Sequence, residues 1–218
     1  MAVSLFYGMT ESGKTSLAKV LVGEVKRAVI FDYNCNIEIK SAYIITDFST
    51  QNILKVFSRF RDKLDFKIVC RPNRNDSDVN VFNKVAMLTI MLGRYQTKKG
   101  NTDRLIFLVD EADMICSSNY QSRELKYVVN VGRHDFVDTW FIARIPQRLH
   151  TDARSNATTA FIFKLIDDVA LTNIRKSFGG KKTSDKVSTL MQYSFLVWKA
   201  NGEIQIFDKN KKLLESWR

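Results

Sequence analysis

Hydrophobic positions along the chain fall into two alternating kinds of pattern. Ala2 to Tyr7 is a short apolar run rich in strand formers, and a glycine loop follows it. The stretch from Lys14 to about Lys26 then reads as a helix. Arg27 to Asp32 (R-A-V-I-F-D) reads as a second buried strand that ends in a carboxylate. Ala42 to Thr46 and Phe66 to Cys70 are further strand candidates. Between them Ile53, Phe57, Phe60 and Leu64 recur at helical spacing. A polar loop around Pro72 runs from Arg71 to Asp78. Val81, Val85, Leu88 and Leu92 predict another helix, to about Tyr95, before a charged turn over Lys98 to Asp103.

Leu105 to Val109 (L-I-F-L-V) is a continuous apolar run closed by Asp110. Such a run marks a central parallel strand covered on both faces. A helix near Ser122 to Val131 and strands at Thr139 to Ala143 and Thr159 to Leu165 follow. Strands alternating with helices predict an α/β fold, a mostly parallel central sheet flanked by helices. The end of the chain differs. Phe178 to Lys186 is rich in Gly, Lys and Ser and reads as a mobile loop. Gln192 to Lys199 and Glu203 to Asp208 flank Ala200-Asn201-Gly202, and Asn-Gly between two strand-like runs predicts a C-terminal β-hairpin. With 218 residues, and neither a repeat nor a linker, one domain is expected over 1–218: a core to residue 176, then the basic loop, hairpin and tail of 177–218.

Composition narrows the class. The apolar share of 45% is enough for a full core and excludes a disordered chain. Three scattered cysteines (Cys35, Cys70, Cys116) and two histidines (His134, His150) give no disulfide framework and no zinc spacing. No apolar run approaches the roughly 20 residues that span a bilayer, and no signal peptide is visible, so a soluble protein is expected. The net charge is +11, and residues 169–218 hold 10 Lys and Arg against 4 Asp and Glu. That excess favours a polyanionic partner.

The chemistry is concentrated in Gly8-Met9-Thr10-Glu11-Ser12-Gly13-Lys14-Thr15, which fits G-x-x-x-x-G-K-S/T at every fixed position, with a strand before it and a helix after. The glycines let backbone N–H groups of Gly8 to Ser16 converge on phosphate oxygens. The helix starting there adds its positive end. Lys14 can bridge the β- and γ-phosphates of ATP, and the Thr15 hydroxyl can ligate Mg2+. Asp110 ends the hydrophobic strand, where a Walker B carboxylate belongs that holds magnesium directly or through water, and Glu111 can orient and deprotonate an attacking water. Asp113 reads as a neighbouring acid, and Asp32 as either a contact to magnesium-bound water or a plain strand end.

Arg133 to Pro146 (R-H-D-F-V-D-T-W-F-I-A-R-I-P), then Gln147, Ser155-Asn156-Ala157 and Phe161-Ile162-Phe163-Lys164, resemble the FtsK–HerA superfamily of P-loop motors. G-R-H together with A-R-x-P-Q is most similar to the small genome-packaging ATPases of internal-membrane-containing, double-jelly-roll viruses and phages. The resemblance covers residues 2–176. It implies a RecA- or FtsK–HerA-like P-loop fold, and ATP hydrolysis coupled to translocation of double-stranded DNA irrespective of sequence. It also implies a homo-oligomeric ring, pentamer or hexamer, at a virion packaging vertex or in the host cytoplasm, with capsid-vertex or internal-membrane proteins as partners. Cellular relatives carry a Gln sensor where this chain has Arg144; Gln147, three residues on, is the alternative. An arginine reaching a neighbour's γ-phosphate is expected from Arg94, in G-R-Y, or from Arg133, with Arg144 acting in its own subunit. DNA backbone contacts are expected from loop cations: Lys181, Lys182 and Lys186 first, then Arg71, Arg74, Lys98 and Lys99. A small P-loop kinase and a nucleotide-gated phage assembly factor are the alternative readings.

Overall fold

The computed structural model describes residues 3–73, 78–120 and 122–218. Its first half interleaves β1 (Val3–Tyr7), α1 (Lys14–Glu24), β2 (Arg27–Phe31), β3 (Tyr43–Ile45), α2 (Thr50–Phe60), β4 (Phe66–Cys70) and α3 (Asp78–Lys98). Then come β5 (Leu105–Val109), α4 (Ala112–Ile115), α5 (Arg123–Asn130), β6 (Val137–Ala143), α6 (Thr151–Ser155) and β7 (Ala157–Phe163). The chain ends with α7 (Asp168–Ser177), α8 (Gly180–Thr189), β8 (Phe195–Lys199), β9 (Ile204–Phe207) and β10 (Leu213–Trp217).

All ten strands form one sheet in the order β10-β9-β8-β7-β1-β6-β5-β2-β4-β3. β3 through β7 in that order are parallel, and β8, β9 and β10 add antiparallel to β7. Every residue of β1, β2 and β5 is buried. Their predominantly apolar runs, broken only by Ser4 in β1 and Arg27 at the start of β2, thus reflect cover on both faces rather than on one. Along β5, Leu105, Phe107 and Val109 pack with α3 and α5, while Ile106 and Leu108 pack with Leu17, Ala18 and Val22 of α1. On the α1 face an aromatic ribbon crosses the strands. Phe6 stacks on Phe161 at 4.6 Å and neighbours Trp140 at 5.9 Å, and Phe195 continues the row to Phe207 at 5.4 Å.

Helix limits follow local chemistry. Ser49 Oγ caps α2 by accepting from Asn52 N, and Ser122 Oγ caps α5 by accepting from Leu125 N. Val81, Val85, Leu88 and Leu92 all face the core of α3, which continues past Tyr95. Near its end Gln96 donates to the carbonyls of Arg61 and Lys63, joining α3 to the turn after α2. Leu64 lies beyond α2 and is exposed, so it is not part of that helical stripe. Among the described residues no helix is long and apolar enough to cross a membrane.

The expected mobile loop over Phe178 to Lys186 is instead largely helix, and Lys181, Lys182 and Lys186 lie on α8 rather than in a loop. The residue before it, Gly179, has φ 98°, and α8 is anchored by buried Thr183, Ser184 and Val187, small side chains that leave no apolar stripe to read. A Cβ at Gly179 would stand 2.4 Å from Ile204 Cδ1 and 2.6 Å from Thr183 Oγ1. Both the left-handed backbone and the overpacking penalise a side chain here. Gly179→Ala is accordingly expected to lower stability by about 2 kcal/mol, read as a reduced urea midpoint with an unchanged slope.

Candidate functional site

The parallel strands all point their carboxyl ends to one edge, and the candidate chemistry gathers there. β1 delivers the glycine loop, β5 delivers Asp110 and Glu111, β6 delivers Arg144, and β2 delivers Asp32. β1 and β2, consecutive in the chain, are separated in the sheet by β6 and β5. A crossover of that kind opens a crevice where ligands bind in open α/β sheets.

The loop needs its glycines for space and for torsion. A Cβ on Gly8 would lie 2.6 Å from Phe163 Cβ and 2.7 Å from Ser12 Oγ. Gly13, at φ 102°, opens α1, and Glu11 also adopts a left-handed conformation at φ 60°. Lys14 is buried, and its Nζ donates to the Met9 carbonyl at 2.7 Å, folding back over the loop. Burial lowers its pKa to about 8, against the opposing pull of Glu111, Asp110 and Asp113. The lysine and the three carboxylates therefore share one electrostatic neighbourhood.

Asp110 is buried, and its Oδ2 has no hydrogen-bond partner. Burial first, then the charges of Glu111 and Asp32, raise its pKa to about 7. An orphaned buried carboxylate oxygen, on the same sheet edge to which the glycine loop brings the Thr15 hydroxyl, makes with it a hard-oxygen donor set. It fits Mg2+, which needs few protein ligands when phosphates and water complete the shell. No group of three or more His, Cys, Asp or Glu positioned to hold a metal occurs among the described residues.

Glu111 opens α4 with a left-handed backbone, φ 47°. Its Oε1 accepts from Asn34 Nδ2 at 3.1 Å, and its Oε2 lies 2.9 Å from Arg144 Nε. Asp113 is buried and accepts from the backbone N–H groups of Arg144 and Ile145, both at 3.2 Å, tying α4 to the turn after β6. Arg144 and Gln147 both line a cavity of about 700 Å3 beside the glycine loop, with Met9, Thr10 and Asp167. Gln147 Oε1 is buried without a partner. Both sensor candidates thus lie at the site.

The other candidates lie elsewhere or are engaged. Arg94, near the end of α3, and Arg133, just before β6, stand at the amino edge of the parallel strands, opposite their own glycine loop. Arg94 Nε bonds Tyr127 Oη at 3.0 Å and Asp135 at 3.3 Å, with the guanidinium 4.4 Å from the Tyr127 ring centre. Arg133 is exposed, and the one described polar contact of its side chain is to the His134 ring, at 3.3 Å. Lys98 and Lys99 close α3 at the same edge. Arg71 bonds buried Asp32 at 3.0 Å and the Ile37 carbonyl, so it serves the loop after β2. Asp32 also accepts from Asn36 and Ile37 N–H and is a structural acid. Arg74 lies outside the described residues. On α8, Lys186 Nζ is 2.6 Å from Glu215, and Lys182 Nζ stands 4.3 Å from the Trp217 ring centre.

Sequence reasoning missed Asn34. The signal was available in the sheet register: β2 pairs with β5, Phe31 opposite Val109, so residues just past Asp32 fall beside residues just past Asp110.

The fold and the glycine loop define the chain as a P-loop NTPase in architecture. No protein-family model matches the sequence, and no curated protein is similar to it in sequence. Solved structures match it in fold. The genome packaging NTPase B204 of Sulfolobus turreted icosahedral virus 2 in complex with AMPPCP superposes with a TM-score of 0.71 at 19% identity, covering 100% of this chain and 97% of that one. The DNA-packaging ATPase B204 of Sulfolobus Turreted Icosahedral Virus matches with a TM-score of 0.66 at 18% identity over 99% and 96%. VirB4 of Thermoanaerobacter pseudethanolicus matches with a TM-score of 0.61 at 10% identity over 90% and 86%. The α/β fold expected from the resemblance is the one observed.

A buried carboxylate with one unpartnered oxygen costs stability when charged. Because burial raises Asp110 above its ordinary 3.8, the native state gives up stability as pH rises from about 4 to 7, where only the unfolded chain releases this proton freely. In metal-free buffer at pH 8, Asp110→Asn is expected to be more stable than wild type by on the order of 2 kcal/mol. The gain should vanish near pH 4. Urea unfolding across that range in the presence of EDTA measures it.

Proposed function

We propose that residues 1–218 act as one ATPase unit of a homo-oligomeric motor that translocates double-stranded DNA during viral genome packaging. The observation that carries the reading is the convergence of Lys14, Asp110, Glu111 and Arg144, supplied by three separate segments, on one edge of the sheet. The full-length likeness to packaging NTPases supports it over the kinase and assembly-factor readings.

Chemistry follows from the positions. Lys14 would leave the Met9 carbonyl for the β- and γ-phosphates, exchanging a neutral acceptor for an anionic one. Thr15 and Asp110 would hold Mg2+, which neutralises phosphate charge when bound. Glu111, held off by Asn34 and Arg144 in the resting chain, would align the attacking water once Arg144 turns to the γ-phosphate or Gln147 takes that place. The charge developing on the phosphoryl oxygens calls for a further cation from a neighbouring subunit, because Arg94 and Arg133 stand on the far edge of their own sheet. Arg133 is the freer of the two and is our choice. DNA phosphates would meet Lys181, Lys182 and Lys186 of α8, whose charge Glu215 partly offsets. Such contacts are salt-sensitive and indifferent to sequence.

ATP hydrolysis should be stimulated by long double-stranded DNA at low salt and fall as salt is raised. Glu111→Gln is expected to abolish turnover while keeping ATP binding. Turnover indifferent to DNA, in protein that hydrolyses ATP, would count against the motor. A separate expectation concerns Arg133→Ala: turnover down by roughly 10³-fold with ATP affinity nearly unchanged, measured by steady-state hydrolysis alongside equilibrium binding. Full activity in that variant would return the role to Arg94.

A further inference from the structure

The cavity of about 700 Å3 beside the glycine loop is walled by Met9 and Thr10 on one side, by Arg144, Gln147 and Arg148 on another, and by Ile166 after β7. Its size is that of a small-molecule site. Pro146–Arg148 forms a single 3-10 turn, so Gln147 and Arg148 leave the backbone in succession. Arg148 is anchored through its main chain: its N–H donates to the Ile145 carbonyl at 3.1 Å, and its carbonyl accepts from Ser118 N–H at 2.9 Å. The residue is exposed, and among the described residues its guanidinium has neither an ion-pair nor a hydrogen-bond partner.

The acids on this wall are engaged elsewhere. Asp113 gives both oxygens to the N–H groups of Arg144 and Ile145, and Asp167 Oδ1 accepts from Ala170 N at 2.7 Å, capping α7. The Arg148 charge is therefore left to a ligand. One acceptor is left as well, because Gln147 Oε1 is buried without a partner. An amide oxygen can only accept, and leaving it unmatched carries a desolvation penalty. The wall thus suits a ligand that is anionic overall and yet bears an O–H group.

Hydrolysis makes such a species. On the ATPase reading above, water attacks the γ-phosphorus, and the new P–O bond forms as the bond to the β–γ bridging oxygen breaks. ADP keeps that oxygen and its electron pair. One water proton passes to Glu111, and the other stays on the transferred group, which departs as hydrogen phosphate. The ionised γ-phosphoryl of ATP has no such proton. We propose that this cavity receives the product phosphate, with Arg148 pairing with its charge and Gln147 Oε1 accepting its P–O–H hydrogen. The two residues would tell product from bound ATP by one hydrogen, and Arg144, on the same wall, would stand between the two positions. Met9 and Ile166 add no polar hold, so the ion would be kept lightly and let go. The inference rests on that ATPase reading and adds where its product goes.

The test titrates inorganic phosphate, and separately sulfate, into the full chain saturated with ADP and Mg2+, by calorimetry at neutral pH and constant ionic strength. Sulfate has the shape and charge but no proton to donate. Wild type should bind phosphate about ten-fold more tightly than sulfate, the scale of one hydrogen bond to a charged ligand. Gln147→Leu should erase that preference and leave sulfate unchanged. Arg148→Gln should weaken both anions about ten-fold. ADP affinity should hold in both variants, which also reports that they are folded. Equal binding of the two anions by wild type would overturn the inference. So would a preference that survives Gln147→Leu, or an Arg148→Gln variant that binds both anions as wild type does. ADP bound with no uptake of phosphate sinks this inference alone, whereas failure to bind ADP at all sinks the nucleotide reading and this inference with it.

Discussion

The buried carboxylate of Asp32 holds the site's geometry together. It lies at the end of β2, fully enclosed, and is satisfied by two backbone N–H groups and the Arg71 guanidinium. An enclosed carboxylate tolerates few arrangements of its partners, because each unmade bond carries a desolvation penalty. The segment after β2 is consequently folded into one shape, and Asn34 within it reaches Glu111 across the β2–β5 boundary. Three acids with three jobs stand within a short span: Asp32 is bonded in full, Asp110 has an open oxygen, and Glu111 is restrained by neutral and cationic neighbours.

The arrangement also explains why a site made of charges tolerates a buried setting. Asp113 gives its two oxygens to backbone N–H groups and so fixes where Arg144 begins. Arg144 in turn faces Glu111. Removing one group would leave another unmatched, so the polar positions on this edge are coupled in a way that the aromatic ribbon on the α1 face is not. Substitutions in the ribbon should act mainly through packing volume, those at the edge through electrostatics.

Much of this was legible in the sequence because it rested on strong local signals. L-I-F-L-V ending in Asp110, R-A-V-I-F ending in Asp32, and the glycine loop each carry their structure within a few residues. Asn201-Gly202 marks the observed turn, with Gly202 at φ 85°. What escaped depended on partners distant in the chain. α8 lacks an apolar stripe because it packs through Thr183, Ser184 and Val187. β10, half-exposed, is recruited by pairing with β9. Arg71 looked like a free loop cation because nothing local shows that Asp32, thirty-nine residues earlier, claims it.

The contact between Arg144 and Glu111 has a consequence for economy. On the proposed reading, the carboxylate that would activate water is paired in this structure with the cation that would serve the γ-phosphate, so each would hold the other back. On that reading, a stray water near the loop would meet no free base, and idle hydrolysis would be held back without a separate inhibitor. Turnover would then require something to compete for the arginine, and the γ-phosphate, the strongest anion to enter the site, would be suited to do so.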